Sequence, residues 1–142
     1  MCEMKKVLSL DVGTKGIGVA KGYKEEKMVF PVCTLSRQSV KKDAQKLAEI
    51  CTKEGIEQIV VGLPLLADGT EGRSARLARQ VGDALHVLTN LPVDYEDERD
   101  SSIEASSRLH QAGKNTKRQR DVIDQAAAVV ILERWLRNRG TT

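Results

Sequence analysis

The stretch Val7-Leu-Ser-Leu-Asp11-Val-Gly-Thr-Lys-Gly-Ile-Gly-Val-Ala20 constrains this chain more than any other. An apolar run, a turn dense in glycine and a second apolar run predict a buried strand that folds back beside its neighbour. One carboxylate, Asp11, stands where the first run ends. A charge at the end of a core strand is costly to desolvate unless it is paired or binds a cation. The question for the rest of the chain is what Asp11 meets.

In order after the turn, Ile17 to Tyr23 continues as a strand and Lys24 to Lys27 is a polar turn. Met28 to Leu35 is a third strand, which Pro31 places near an edge. Ser39 is a candidate N-cap for a helix carrying Val40, Ala44, Leu47, Ala48 and Cys51 at helical spacing, stopped by Gly55. Ile59 to Gly62 is continuously apolar, as expected of a strand covered on both faces and reached through a right-handed crossover. A loop punctuated by Pro64 and Asp68-Gly69 leads to a second amphipathic helix, Arg73 to Leu88, with Leu77, Val81, Ala84, Leu85 and Leu88 inward. Val93 to Glu98 reads as a fifth strand and Ser101 to Gln111 as a third helix ended by Gly113. After the basic segment Lys114 to Arg120, a last helix runs from about Val122 to Leu136. This order predicts one α/β domain over residues 1–142. Its five-stranded mixed sheet has three antiparallel strands followed by two parallel ones, with helices on both faces.

Totals exclude some classes. A net charge of +3 is weak evidence for a polyanionic partner, so the distribution of charge matters more than the sum. No apolar run reaches the roughly 18 residues of a membrane helix, and Met1 to Lys6 lacks the features of a secretory signal. Cys2, Cys33 and Cys51 are an odd set without CxxC spacing, which argues against a disulfide framework or a zinc site. The expected compartment is the cytoplasm.

Two further carboxylate sites stand out. Tyr95-Glu-Asp97-Glu98-Arg99-Asp100 gathers acids at the end of the fifth strand. Asp124 opens a helix that is otherwise almost wholly apolar, and Ala127, Ala128 and Ile131 share its face, which points it at the sheet. In an open α/β sheet such ends meet in a common crevice. Convergent carboxylates are tolerated when a divalent cation neutralises them, and hard oxygen ligands suit magnesium or manganese. Two such ions can activate water and stabilise the leaving oxygen in phosphodiester hydrolysis. Plainer accounts stand beside this one. Asp11 could cap the glycine turn through its side chain, Glu98 could pair with Arg99 or a lysine, and Asp124 could sit favourably near a helix N-terminus. Glu104 fits a capping box begun by Ser101, and His86 and His110 are isolated helical positions.

From Lys114 to Arg139, seven basic residues face three acidic ones. Lys117, Arg118 and Arg120 could hold a phosphate backbone beside Asp124, or could simply be a solvated face. Aromatic residues make up only 3% of the chain, so base stacking on a single strand is not supported.

Four ordered motifs resemble the YqgF (RuvX) family across nearly the whole chain. They are Leu10-Asp-Val-Gly-Thr-Lys15 with Ile17-Gly-Val-Ala20; Ile59-Val-Val-Gly-Leu-Pro-Leu65 with Asp68-Gly-Thr-Glu71; Asp97-Glu-Arg99; and Ile123-Asp-Gln-Ala-Ala127. The resemblance implies a ribonuclease H-like fold related to the RuvC resolvases. It also implies a nuclease that matures the 5′ end of pre-16S ribosomal RNA or resolves Holliday junctions. Asp11, Glu98 and Asp124 would be its metal-binding carboxylates, with Lys15 and Arg99 as phosphate contacts. This chain departs from the family pattern at Gly16, where arginine or serine is usual, and at Asp100-Ser-Ser102, where Leu-Thr-Thr is usual. Asp97 and Asp100 therefore stand beside Glu98 as alternative ligands.

The leading expectation is a metal-dependent endonuclease on structured RNA. The same chemistry on four-way DNA would suit a homodimer, since paired cuts need two sites. An actin-like or sugar-kinase phosphate motif is another reading of Asp-x-Gly-Thr-Lys, but the chain lacks length for a second nucleotide-binding half. A non-catalytic RNA-binding or ribosome-assembly module is a further alternative.

Overall fold

The computed structural model describes residues 5–25, 28–66, 68–97 and 117–139, with side chains of the last segment described for 122–138. Strands β1 (Lys6–Val12), β2 (Gly16–Tyr23) and β3 (Met28–Ser36) form an antiparallel meander. Helix α1 (Val40–Glu54) leads to β4 (Gln58–Leu63), which lies parallel to β1. Helix α2 (Arg73–Thr89) leads to β5 (Val93–Asp97), parallel to β4. The sheet order is β3-β2-β1-β4-β5, and helix α3 (Lys117–Arg139) closes the described chain. Three antiparallel strands and then two parallel ones were expected from the order of apolar runs, and that is the sheet observed.

Local chemistry explains the elements. Ser39 caps α1 by accepting from the Lys42 amide at 3.1 Å, and Gly55 ends it in the left-handed region at φ 69°. Pro31 lies in the edge strand β3, where the register slips so that Val19 pairs with Cys33 and Ala20 with Pro31. Every residue of β4 is buried, as an apolar run covered on both faces requires.

Strand alternation divides the core into two layers. Leu8, Leu10 and Val12 of β1 pack with Leu47, Cys51, Val81 and Leu85 of α1 and α2. Val7 and Val60 face the other way, onto Ile131, Leu132, Trp135 and Leu136 of α3. Helix α3 crosses the sheet obliquely. Gln125 reaches Thr34 of β3 at 3.2 Å, Ser9 of β1 donates to the Ala128 carbonyl at 2.7 Å, and Trp135 donates to Asp94 of β5 at 3.1 Å.

The boundaries of two expected helices are corrected. Leu88, read as inward, is 51% exposed, because the last turn of α2 is left uncovered. Helix α3 starts at Lys117 rather than near Val122. Lysine, arginine and glutamine are good helix formers, and no glycine or proline interrupts 117–139, so the apolar pattern marked only the packed part of a longer helix. The expected helix over Ser101 to Gln111 and its capping box lie outside the described residues.

Helix α3 can cross so closely only because β2 carries Gly18. A Cβ at that position would overlap the Asp124 carbonyl and stand 3.0 Å from the Gln125 amide. Replacing Gly18 with alanine must push the helix off the sheet, and we expect a loss of about 2 kcal/mol or more, read as a lower midpoint in urea denaturation. Burial pushes the Cys51 thiol up to about 11. Since the thiolate is the nucleophile, iodoacetamide at about pH 8 should label Cys51 at least about tenfold more slowly in the folded protein than in urea, read by peptide mass spectrometry.

Candidate active site

The carboxyl end of β1 is where this architecture concentrates chemistry. Asp11 is half-buried and has the parity of Val7 and Ser9, whose side chains meet α3. Two residues along a strand advance about 6.6 Å and one helical turn about 5.4 Å. If Ser9 meets Ala128, then Asp11 comes level with Asp124, one turn earlier. The register agrees: Asp11 pairs with Gly18, and Gly18 is the residue pressed against the Asp124 backbone. Asp124 is also half-buried, with Oδ2 at 3.2 Å from where a Gly16 Cβ would stand. Residue 16 therefore borders Asp124, and a side chain there would crowd the carboxylate.

Asp124 lies seven residues into α3, past the first turn where a helix dipole acts. The account of it as a favourable N-terminal charge is thereby removed. Its position follows from packing: Ala127, Ala128 and Ile131 on its face are buried against the sheet.

The other expected site residues fall in different places. Lys15 is exposed on the β1–β2 turn. Asp94 accepts from Trp135, and Glu96 accepts from Asn138 at 3.2 Å, so both face α3. Tyr95 packs on the opposite layer, and alternation assigns Asp97 to that layer, away from Asp11. Glu98, Arg99, Asp100 and Lys114 lie outside the described residues. Lys117, Arg118 and Arg120 occupy the first turns of α3, and their side chains lie outside the described set. His86 has a structural place, with Nδ1 2.7 Å from the Leu91 carbonyl past the end of α2.

The turn beside the acidic pair is held from below. Gly13 N donates to the Gly16 carbonyl at 2.9 Å, and Arg37 N donates to the Lys15 carbonyl at 3.0 Å. The Arg37 guanidinium bonds fully buried Asp43 and also donates to the Gly13 carbonyl at 3.2 Å. Asp43 in turn accepts from the Gln38 amide at 3.1 Å. This buried pair ties the end of β3, the start of α1 and the β1–β2 turn into one unit. Sequence reasoning missed it, because Arg37 and Asp43 read as two ordinary charges around an N-cap.

A second feature also went unnoticed. A cleft of about 520 Å³ opens between Thr14 and α2, lined by Arg73, Ser74, Arg76, Leu77 and Gln80. The signal was available as basic residues three apart at the start of α2.

Donor chemistry at the acidic pair fits a hard divalent cation: two half-buried carboxylates from different elements, with no side chain at Gly16 to crowd Asp124. Among the described residues, no three His, Cys, Asp or Glu side chains are grouped to share a metal. Asp11 and Asp124 are the described part of the expected set.

A family model described as "RuvX: Holliday junction resolvase" matches residues 5–138. The chain belongs to the RuvX family. Its relatives include a Thermosynechococcus vestitus protein named "Putative pre-16S rRNA nuclease", 37% identical over 139 residues and covering 98% of this chain and 92% of that one. An Anaeromyxobacter protein (strain K) of the same name is 40% identical over 135 residues, covering 95% and 98%. Among solved structures, T. thermophilus RuvC in complex with a Holliday junction substrate matches with a TM-score of 0.60 at 15% identity, covering 97% of this chain and 98% of that one. At that identity the likeness is one of fold, and it is the RuvC-type fold expected from the motifs. For this RuvX member, the Arg37–Asp43 brace makes a sharp prediction. Asp43→Ala strands a mostly buried guanidinium and should cost about 3 kcal/mol in thermal or urea denaturation.

Proposed function

We propose that this RuvX protein is a divalent-metal-dependent endonuclease that hydrolyses phosphodiester bonds in structured RNA. The reaction is maturation of the 5′ end of pre-16S ribosomal RNA in the cytoplasm, by one nuclease domain spanning residues 1–142. The observation that carries the reading is the register that sets Asp11 opposite Gly18, with Gly18 pressed against the backbone of Asp124, 113 positions along the chain from Asp11. The names of the relatives supply the substrate.

Asp11 and Asp124 would hold magnesium or manganese, with Glu98 as the third carboxylate. Glu98 has the sequence parity of Asp94 and Glu96, the two acids of β5 that face α3. A bound divalent ion would supply Lewis-acid polarisation of the phosphate and a water of lowered pKa. The chain's own part is positional. Asp11 is fixed by a strand in the middle of the sheet, Asp124 by a helix packed on it, and the turn between them is braced by Arg37. Lys15 and Arg99, with Lys117, Arg118 and Arg120, would contact phosphates of the bound strand.

A four-way DNA junction is the second reading, favoured by the description of the family and by the shared fold of RuvC. That reading calls for a homodimer, because two strands must be cut.

Purified protein with magnesium or manganese should cleave a precursor carrying the 16S 5′ leader. Chelation by EDTA should stop the reaction and readdition of the ion restore it. Asp11→Asn and Asp124→Asn should each lower the rate by about a thousandfold or more, the scale of several kcal/mol of lost charge stabilisation. Undiminished cleavage by either variant removes the mechanism, and preferential symmetric cutting of a synthetic junction turns the assignment to DNA.

A further inference from the structure

We propose that the cleft between the β1–β2 turn and α2 is a second substrate site, holding the sugar–phosphate backbone of the nucleic acid a short way from the bond that is cut. This rests on the nuclease reading, and it assigns to Arg73 and Arg76 a role on the face of the sheet opposite α3.

The lining argues for an anionic, extended ligand. About 520 Å³ of open cleft is bordered by two guanidiniums, two hydroxyls and an amide, from Arg73, Arg76, Thr14, Ser74 and Gln80, above the side chain of Leu77. Among the described residues, no carboxylate borders it. The nearby acid, Glu71, is already taken by a different arginine: Arg79 grips it through two hydrogen bonds of 2.6 and 2.7 Å. Arg79 also lies 4.8 Å from the centre of the Tyr95 ring. Arg73 and Arg76 are exposed and, among the described residues, enter no ion pair. Two guanidiniums one turn apart repel each other, and that cost is offset when both meet a phosphate chain. The planar fork of each suits two phosphate oxygens at once.

Placement gives the cleft its meaning. Thr14 follows Asp11 by three residues, so at most about 11 Å of chain separates them. A nucleic-acid strand advances about 3.4 Å per phosphate along a duplex axis. A strand with one phosphate at the acidic pair would therefore bring another, roughly three positions along, over the turn and into the cleft. The rigid turn braced by Arg37 and Asp43 fixes that spacing. Among the described residues, the lining has no aromatic side chain on which a base could stack, so the contact reads backbone rather than sequence.

The test measures binding apart from cleavage. In an Asp11→Asn background, fluorescence anisotropy with a labelled stem-loop RNA carrying single-stranded flanks gives Kd from low to moderate salt. Adding Arg73→Gln and Arg76→Gln should weaken binding about tenfold at low salt and reduce the slope of log K against log salt by about two, one per phosphate contact. Circular dichroism and melting should be unchanged, since both side chains are exposed. Lys46→Gln with Lys53→Gln, which removes two exposed charges on α1, should leave the slope as it was. A folded arginine variant with the parental slope on both RNA and a four-way DNA junction overturns the proposal, as does an equal loss in the lysine control or a parent that binds neither nucleic acid. Cleavage is assayed separately in the otherwise native chain. Absence of cleavage together with the predicted slope change would remove the nuclease reading and keep the cleft as a binding site. A junction DNA that shows the slope change where RNA does not would move the substrate while keeping the site.

Discussion

The close seating of α3 on β2 is the contact on which the rest of this molecule depends. It is made at backbone level. Gly18 offers no side chain, so the peptide at Asp124 comes down onto the strand, and Ser9 locks the next turn by donating to the Ala128 carbonyl. That hydrogen bond is buried, and so also fixes the sliding of the helix along β1. With rotation and translation both set, Asp124 comes level with Asp11. Bringing two carboxylates to one half-buried place works against stability, and the fold overcomes that with the apolar layer of Val7, Val60, Ile131, Leu132 and Trp135 beneath.

The opposite layer does a different job. There α1 and α2 cover Leu8, Leu10 and Val12, and the Arg37–Asp43 pair at the start of α1 holds the β1–β2 turn. A buried ion pair is weak evidence for net stability, since desolvation consumes much of its attraction. Its value here is in direction. Arg37 bonds Gly13 and Lys15 through their carbonyls, so the turn cannot flap between the acidic pair on one face and the arginine-lined cleft on the other. The same sheet end thus lies between the carboxylates on its α3 face and the arginines of α2 on its other face, separated by one braced turn. A polyanion that must be gripped and also attacked needs both.

Much of this was legible in the residues themselves. The meander and the two parallel strands reached through helices follow from apolar runs, and Ser39 and Gly55 mark the ends of α1, whereas the order of strands across the sheet does not. Asp11 was recognisable as a charge ending a core strand, and Asp124 as the one acid on an apolar face. The start of α3 was not legible, because its first turns carry lysine and arginine that pack on nothing in the pattern. Leu88 misled for the converse reason: periodicity says which way a side chain points and not whether anything waits there.

Sequence alone therefore determined the order and type of the described elements and the RuvX family, and it singled out Asp11 and Asp124, since alternation, capping and motif spacing are local properties of a chain. Tertiary structure alone decided that Asp124 comes level with Asp11, that Arg37 supports the turn through Asp43, and that Arg73 and Arg76 border a cleft with Thr14. Each of these joins residues distant along the chain, and such pairings depend on how far a helix slides and how closely two backbones approach. Those distances are set by packing, where one missing Cβ at Gly18 outweighs any preference written in the neighbouring sequence.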